Sequence, residues 1–350
     1  MTTRHFCTYF DSGYLPRGLA LHQSLVRHCP DFHLWVLALD PDSEQVLRDL
    51  QLASVTVISL TELEAADPEA AAAKPTRGRV EYYFTLTPVL PTHLLERAPE
   101  IDMITYLDAD LWFFDAPEIV FEELGEAPVA IIEHRFGPAM QHRAIFGRFN
   151  VGWVSFRRVP EGLECLHLWR QQCVEWCFDR LEDDRFADQK YLDRWPELFP
   201  NVHVVQHAGA NVAPWNLSDA AVGLRDGKVT VNGEPLVFFH FHGLTQLRDR
   251  LVDPNLEAYG ARAGRVLRQH IFRPYVAELN GIAARVGLPA RSVSSRTGIP
   301  ETVARTSALV QVRRVLSLLR AVAAGRRIVV ARPRRDPQPV PADRKDATVR

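Results

Sequence analysis

Within its first sixty residues the chain alternates short apolar runs with segments of helical periodicity, and this alternation restricts the fold more than any other feature. Residues 5–10, 33–39 and 54–60 read as strands, and residues 16–28 and 43–50 as helices. Strands separated by helices pair in parallel, because each crossover returns the chain to the edge from which it started. The expected fold class is therefore α/β, a mostly parallel, doubly wound sheet with helices on both faces. Sheets of this kind bind ligands beyond the carboxyl ends of their strands. At 350 residues, 47% of them hydrophobic, the chain can bury a full-sized core.

Further along, residues 65–74 are Ala-rich and read as a loose segment, and residues 79–97 read as a helix interrupted at Pro88 and Pro91. Strands are expected at 129–133, 150–156, 202–206, 228–231 and 236–241, with a helix over 162–178, a short helix over 187–195 and a turn at Asn232-Gly233. From residue 256 onward the pattern is helical and basic, and residues 331–350 have the composition of a disordered tail.

Residues 101–107 form an apolar run that ends abruptly at Asp108-Ala109-Asp110. Two carboxylates delivered by a strand to the carboxyl edge of a sheet suit a hard divalent cation, Mg²⁺ or Mn²⁺, which also shares phosphate oxygens. An isolated Asp-x-Asp serves equally well as a polar cap after a buried strand, so the case depends on the residues around it.

Those residues, in order, are Thr8-Tyr9-Phe10-Asp11-Ser12-Gly13-Tyr14, Tyr106-Leu107-Asp108-Ala109-Asp110, Phe149-Asn150-Val151-Gly152-Trp153, Ala187-Asp188-Gln189-Lys190-Tyr191-Leu192 and His240-Phe241-His242-Gly243. The ordered set resembles the GT-A-fold nucleotide-diphospho-sugar glycosyltransferases, most closely family 8 and related bacterial sugar transferases, over about residues 5–245. The resemblance implies a GT-A domain over 1–255, with a nucleotide-binding half at 1–115 and an acceptor-side half at 116–255. A basic helical extension at 256–330 would follow.

The resemblance also implies site roles. Thr8, Tyr9, Asp11, Tyr14, Arg79 and Asp108 would meet the donor nucleotide, and Asp188 and Gln189 would lie against the donor sugar as catalytic residues. Asn150, Gly152, Asn211, Trp215, Asn216 and Gly243 would meet the sugar or acceptor. Asp108, Asp110 and His240 would hold Mn²⁺ or Mg²⁺, with His242 as the rival third ligand. The implied substrates are a nucleotide-diphosphate sugar, with uridine as the expected base, and a glycan or lipid-linked acceptor. Family 8 follows its late His-x-x-Gly with Lys-Pro-Trp, whereas Gly243 is followed here by Leu244-Thr245-Gln246-Leu247-Arg248, leaving Arg248 or Arg250 to substitute and retention against inversion open.

Several residues keep a bland reading beside the functional one. Arg77 and Arg79 suit a diphosphate but also an open surface. Trp215 is a sugar platform if exposed and core packing if buried. Asp188-Gln189 also works as a helix cap. A haloacid-dehalogenase phosphatase would want Thr or Val where Trp112 stands, and a sugar-nucleotide pyrophosphorylase would want a Gly-rich, Arg-bearing loop after the first strand. A non-catalytic membrane or polysaccharide-binding protein would need neither the carboxylate pair nor His240.

The net charge of −2 hides an asymmetry, since residues 285–350 carry fifteen Arg/Lys against four Asp/Glu. The acidic body makes nucleic acid an unfavourable partner, whereas the basic tail suits an anionic membrane surface. Leu309, Val312, Leu316, Leu319 and Ala323 form an apolar stripe, with Arg313, Arg320 and Arg327 on another face. The five cysteines contain no Cys-x-x-Cys pair, which argues against a disulfide framework or zinc site. With no signal-peptide pattern at the amino terminus, a cytoplasmic location is expected, peripheral to the membrane if the tail binds it.

Overall fold

A computed structural model describes residues 3–248, 251–287 and 319–330. The chain opens with β1 (Arg4–Phe10), α1 (Leu15–His28), β2 (Phe32–Ala38), α2 (Pro41–Leu50) and β3 (Val55–Ser59). Next come α3 (Leu60–Ala66), α4 (Pro68–Ala73), α5 (Arg79–Arg97), β4 (Met103–Leu107) and the short β5 (Leu111–Phe113). The middle of the chain forms α6 (Glu118–Leu124), β6 (Val129–Glu133), β7 (Phe149–Arg157), α7 (Pro160–Glu175), α8 (Trp195–Leu198) and β8 (Val202–Val205).

The main sheet has seven strands in the order β3-β2-β1-β4-β7-β6-β8. Its pairs are parallel except β4 with β7 and β6 with β7, so it is mostly parallel with one reversed strand, β7. Helices cover both faces. This is the α/β, GT-A architecture that the strand-helix alternation and the motif order imply.

Strand periodicity divides the core in two. On one face Phe6, Phe10, Leu34, Val36, Met103 and Leu107 pack with α1; on the other Cys7, Leu37, Ile104 and Tyr106 pack with α5 and α7. The five cysteines are all free and buried.

A β9–β10–β11 meander follows (Val222–Arg225, Lys228–Val231, Glu234–Pro235), its second turn made by Asn232 and Gly233, both at positive φ. Next, β12 (Phe238–His240) pairs antiparallel with β5. The strands β13 (Thr245–Arg248) and β14 (Leu251–Asp253) are joined, beyond α9 (Arg273–Arg285), by β15 (Ile328–Val329). Tyr275, Val276, Leu279 and Ile328 belong to the same apolar cluster as α1.

Three local expectations are corrected. The Ala-rich segment is ordered as α3 and α4, capped by Ser59 and Asp67, and Arg170 clamps Asp67 at 2.6 Å. The helix α5 runs through Pro88 and Pro91 to Arg97. Each internal proline costs on the order of 3 kcal/mol, but Leu86, Val89, Leu90, Leu94 and Leu95 are all buried from this one helix, each returning about 1.5–3 kcal/mol. Of residues 187–195, Lys190–Arg194 forms a 3₁₀ turn that leads into α8. Of the tail readings, Leu309, Val312, Arg313, Leu316, Arg250 and residues 331–350 lie outside the described residues. Among the described residues no helix is long and apolar enough to cross a membrane.

Candidate metal and nucleotide site

The site is built at the carboxyl edge of β1 and β4. After β4 the chain turns at Asp108, where the Asp108 N–H donates to the Gly152 carbonyl on β7, and Asp110 leads into β5. Because β12 pairs with β5 in the register His240 to Leu111, His240 stands next to the two carboxylates. Its Nε2 lies 3.1 Å from Asp110 Oδ1 and 3.5 Å from Asp108 Oδ2. One ligand atom from each of the three residues lies within 4.8 Å of the other two. His240 and Asp110 are buried, whereas Asp108 keeps about a third of its side chain open at 32%. His242 packs beside Trp215 and Tyr259, with ring centroids 5.2 and 6.3 Å away.

His240 is fixed from behind. Its Nδ1 faces Asn150 Oδ1 at 3.3 Å, and that same oxygen accepts the Gly152 N–H at 3.1 Å. An amide oxygen opposite Nδ1 keeps a proton on that nitrogen, so Nε2 is the ring nitrogen that faces the carboxylates and the one available to a cation held with them. A Cβ on Gly152 would fall 2.6 Å from Asn150 Oδ1 and 2.8 Å from His240 Nδ1, so only glycine permits the approach.

A buried arginine, Arg17 of α1, completes the group. Its Nη1 lies 3.6 Å from Asp110 Oδ2, its Nη2 donates to the Leu244 carbonyl at 2.5 Å, and its guanidinium lies over the Tyr14 ring at 4.5 Å. Burial alone would raise the Asp110 carboxyl, but His240 and Arg17 hold it well below the ordinary carboxylate range. Asp108, with less cationic support and Asp110 beside it, is pushed up, mainly by burial. Burial lowers His240, and the two carboxylates more than offset it, so the imidazole is raised overall.

On the α5 face, Tyr106 donates its hydroxyl to Asp108 Oδ1 at 2.9 Å. The Tyr9 ring lies 5.6 Å from that of Tyr106, and its hydroxyl meets Thr87 Oγ1 at 3.0 Å. Asp188, 5% exposed, lies in the same patch. Burial raises its carboxyl to about 7, the Thr87 hydroxyl bond opposing and the Asp108 charge adding. Gln189 donates to the Phe146 carbonyl at 2.8 Å.

Asp11 closes the turn after β1 by accepting the Tyr14 N–H at 3.2 Å, and Ser12 donates to Asp40, the cap of α2. Tyr83 is raised to about 12 by burial and by Asp11, with Arg79, one helical turn earlier on α5, acting in the opposite sense. Arg77 is directed elsewhere, donating to the Val174 and Glu175 carbonyls at the end of α7 and lying 4.0 Å over the Phe178 ring.

Of the remaining positions Thr8, Asn211 and Trp215 are buried, Asn216 is half-buried and Gly243 is exposed. Thr8 is wholly buried within β1. Trp215 is buried at 2%, edge-on to His240, His242 and His134. His134 is itself lowered to about 3 by burial. Asn216 clamps its loop, donating to the His134 and Asn211 carbonyls while its Oδ1 accepts the Ala213 N–H. Asn211 is buried at φ 53° and donates to the Glu133 carbonyl, and Gly243 turns the chain at φ 68° after the His-x-His run. A separate cleft of about 790 Å³ opens at the amino edge of the sheet, near Arg4, His33 and Asp102, and holds none of these residues.

Arg17 and Thr87 did not stand out in the sequence, and Tyr106 stood there only as part of the Asp-x-Asp motif, with no role of its own. For Arg17 a signal was present, a lone cation in the otherwise apolar run Leu15-Pro16-Arg17-Gly18-Leu19-Ala20-Leu21.

Fold and site together define a GT-A-fold protein with an Asp-x-Asp-His centre at the carboxyl edge of its sheet. The chain belongs to the same family as two Bacillus subtilis (strain 168) proteins, the uncharacterized proteins YfnD and YfnF. YfnD is 35% identical over 282 residues, spanning 80% of this chain and 89% of its own. YfnF is 31% identical over 249 residues, 69% of this chain and 82% of its own. No family model matches. Among solved structures the chain is similar to the galactosyltransferase LgtC in complex with donor and acceptor sugar analogs (TM-score 0.46, 16% identity, 85% of this chain and 98% of that one). It is also similar to mouse xyloside xylosyltransferase 1 (TM-score 0.44, 16% identity, 69% and 98%).

Proposed function

We propose that this protein is a divalent-cation-dependent glycosyltransferase that moves a sugar from a nucleotide-diphosphate donor, a uridine diphosphate sugar in the first instance, to a glycan or lipid-linked cell-envelope acceptor. The observation that carries the reading is the convergence of Asp108, Asp110 and His240 at the sheet's carboxyl edge, next to the turn at residues 11–14. Two carboxylates and one imidazole form a donor set that suits Mn²⁺ or Mg²⁺. When bound there, such an ion supplies charge stabilisation to a departing diphosphate.

The chain's own residues prepare that site. Arg17 keeps Asp110 ionised, and Asn150 sets the His240 tautomer. Asp11, Tyr83 and Arg79 form the rim where a nucleoside and its phosphates would lie. Asp188, raised to about 7, exchanges its proton near neutrality and is the group on hand to meet a sugar hydroxyl.

The test is calorimetric titration with a panel of nucleoside diphosphates, with and without Mn²⁺, for the native chain and for Asp110→Asn. Saturable, Mn²⁺-dependent binding of one nucleotide that is lost in the variant is the expected result. Absence of binding to every nucleotide with either metal would overturn the reading and favour a non-catalytic binding protein.

A further inference from the structure

Away from the Asp-x-Asp centre, a pocket of about 270 Å³ lies between the helical segment that leads into α9 and the returning strand β15. Four of its lining side chains are arginines, Arg265, Arg268, Arg273 and Arg327. Among the described residues only Arg327 is matched by a carboxylate, Asp253 at 3.0 Å. Arg265 donates to the Gln269 amide oxygen and Arg273 to the Val329 carbonyl, contacts that orient guanidinium groups without neutralising them.

The backbone is arranged to gather them. Residues Leu267–Phe272 form a π-helix, and the Arg273 N–H donates to the Arg268 carbonyl, five residues back. In an α-helix, residues five apart face different sides; the wider π turn brings positions i and i+5 onto one face. A π turn is rare, and it concentrates at functional sites. Here Arg268 and Arg273 line one space together with Arg327, which precedes β15.

We infer that this pocket is a binding site for a phosphate-type oxyanion, which a planar guanidinium meets with paired hydrogen bonds. The oxyanion comes either from solution, as phosphate or pyrophosphate, or from the headgroup of an anionic lipid. The site is independent of the metal centre, so its test leaves that centre silent.

The experiment uses the full chain in a chelator. Inorganic phosphate and pyrophosphate are titrated by calorimetry, and co-sedimentation is measured with phosphatidylglycerol and with phosphatidylcholine vesicles. The native chain is compared with the double variant Arg268→Gln/Arg273→Gln, with Arg262→Gln as an exposed control outside the pocket, and with Arg268→Lys, which keeps the charge and loses the fork. Circular dichroism verifies each fold, and Arg268→Lys carries the comparison if the double variant does not fold.

The expected result is saturable binding to at least one probe, weakened at least tenfold by the double variant and unchanged by Arg262→Gln. Binding of the small anions assigns the solution source. Binding only to phosphatidylglycerol vesicles assigns the lipid source. Equal affinity of the native chain and the pocket variants for every probe, or no binding to any of them, would overturn the inference.

Discussion

Arg17 and Asp110 form a buried ion pair between the first helix and the Asp-x-Asp turn, with Nη1 3.6 Å from Oδ2 and side chains only 2% and 9% exposed. The pair places a fixed positive charge beneath a centre that carries two carboxylates. Removing one partner of such a pair costs about 3–5 kcal/mol, because it leaves the other charge buried without compensation.

Arg17→Met should therefore lower stability to denaturant by an amount in that range, with Arg17→Lys retaining part of it. A divalent cation supplies the missing positive charge, so saturating Mn²⁺ should raise the melting temperature of Arg17→Met more than that of the native chain. Thermal melts with and without Mn²⁺ check this; equal increments would show that Arg17 is not the charge partner of the centre.

Gly152 is a second point where geometry decides. Alanine there requires Asn150 or His240 to retreat from contacts of 2.6 and 2.8 Å. Such overpacking costs roughly 1–3 kcal/mol, and loss of a group that orients a metal ligand typically costs about 10–100-fold in affinity. Gly152→Ala should fold and bind Mn²⁺ more weakly by a factor in that range in direct titration. Native-like affinity would show that Asn150 does not set the ring.

The strand-helix alternation and the Asp-x-Asp terminus were legible because each rests on local periodicity: a run from Met103 to Leu107 is buried on both faces and reads as such. The third member of the Asp108–Asp110 cluster was legible only as a choice between His240 and His242, since the β5–β12 pairing that brings His240 to the carboxylates joins residues more than a hundred positions apart. Arg17 was missed for the same reason: its partners, Asp110 and Leu244, are distant in sequence and brought close only by the fold. The helix through Pro88 and Pro91 ran against local propensity because burial along its whole length outweighs two prolines.

Arg77 and Arg79, two residues apart and indistinguishable in sequence, should separate in experiment. Arg77→Ala removes donors to two carbonyls at the end of α7 and a cation–π contact with Phe178, a stability loss of about 1–2 kcal/mol. Arg79 is exposed at the start of α5, one helical turn before Tyr83. Arg79→Ala should leave stability within about 0.5 kcal/mol of native and weaken nucleotide diphosphate binding. Denaturation midpoints and nucleotide titrations of both variants are the check, and the reversed pattern would reassign the two arginines.

Asp188 supplies a pH signature. Its carboxyl ionises near 3.8 in an unfolded chain and at about 7 in the fold, chiefly because burial disfavours the charged form. Between those values the native state holds a proton that the unfolded state has lost, so this residue makes stability fall as pH rises through the interval. Above about pH 7 the loss is complete and of the order of 4 kcal/mol, at about 1.36 kcal/mol per pK unit. Asn cannot ionise, so Asp188→Asn should be more stable than the native chain at pH 8 and close to it at pH 4. Urea denaturation of both proteins in chelator at the two pH values measures the difference directly. A stability difference that does not change with pH would mean that Asp188 stays ionised throughout, and would remove it as the group exchanging a proton with a sugar hydroxyl.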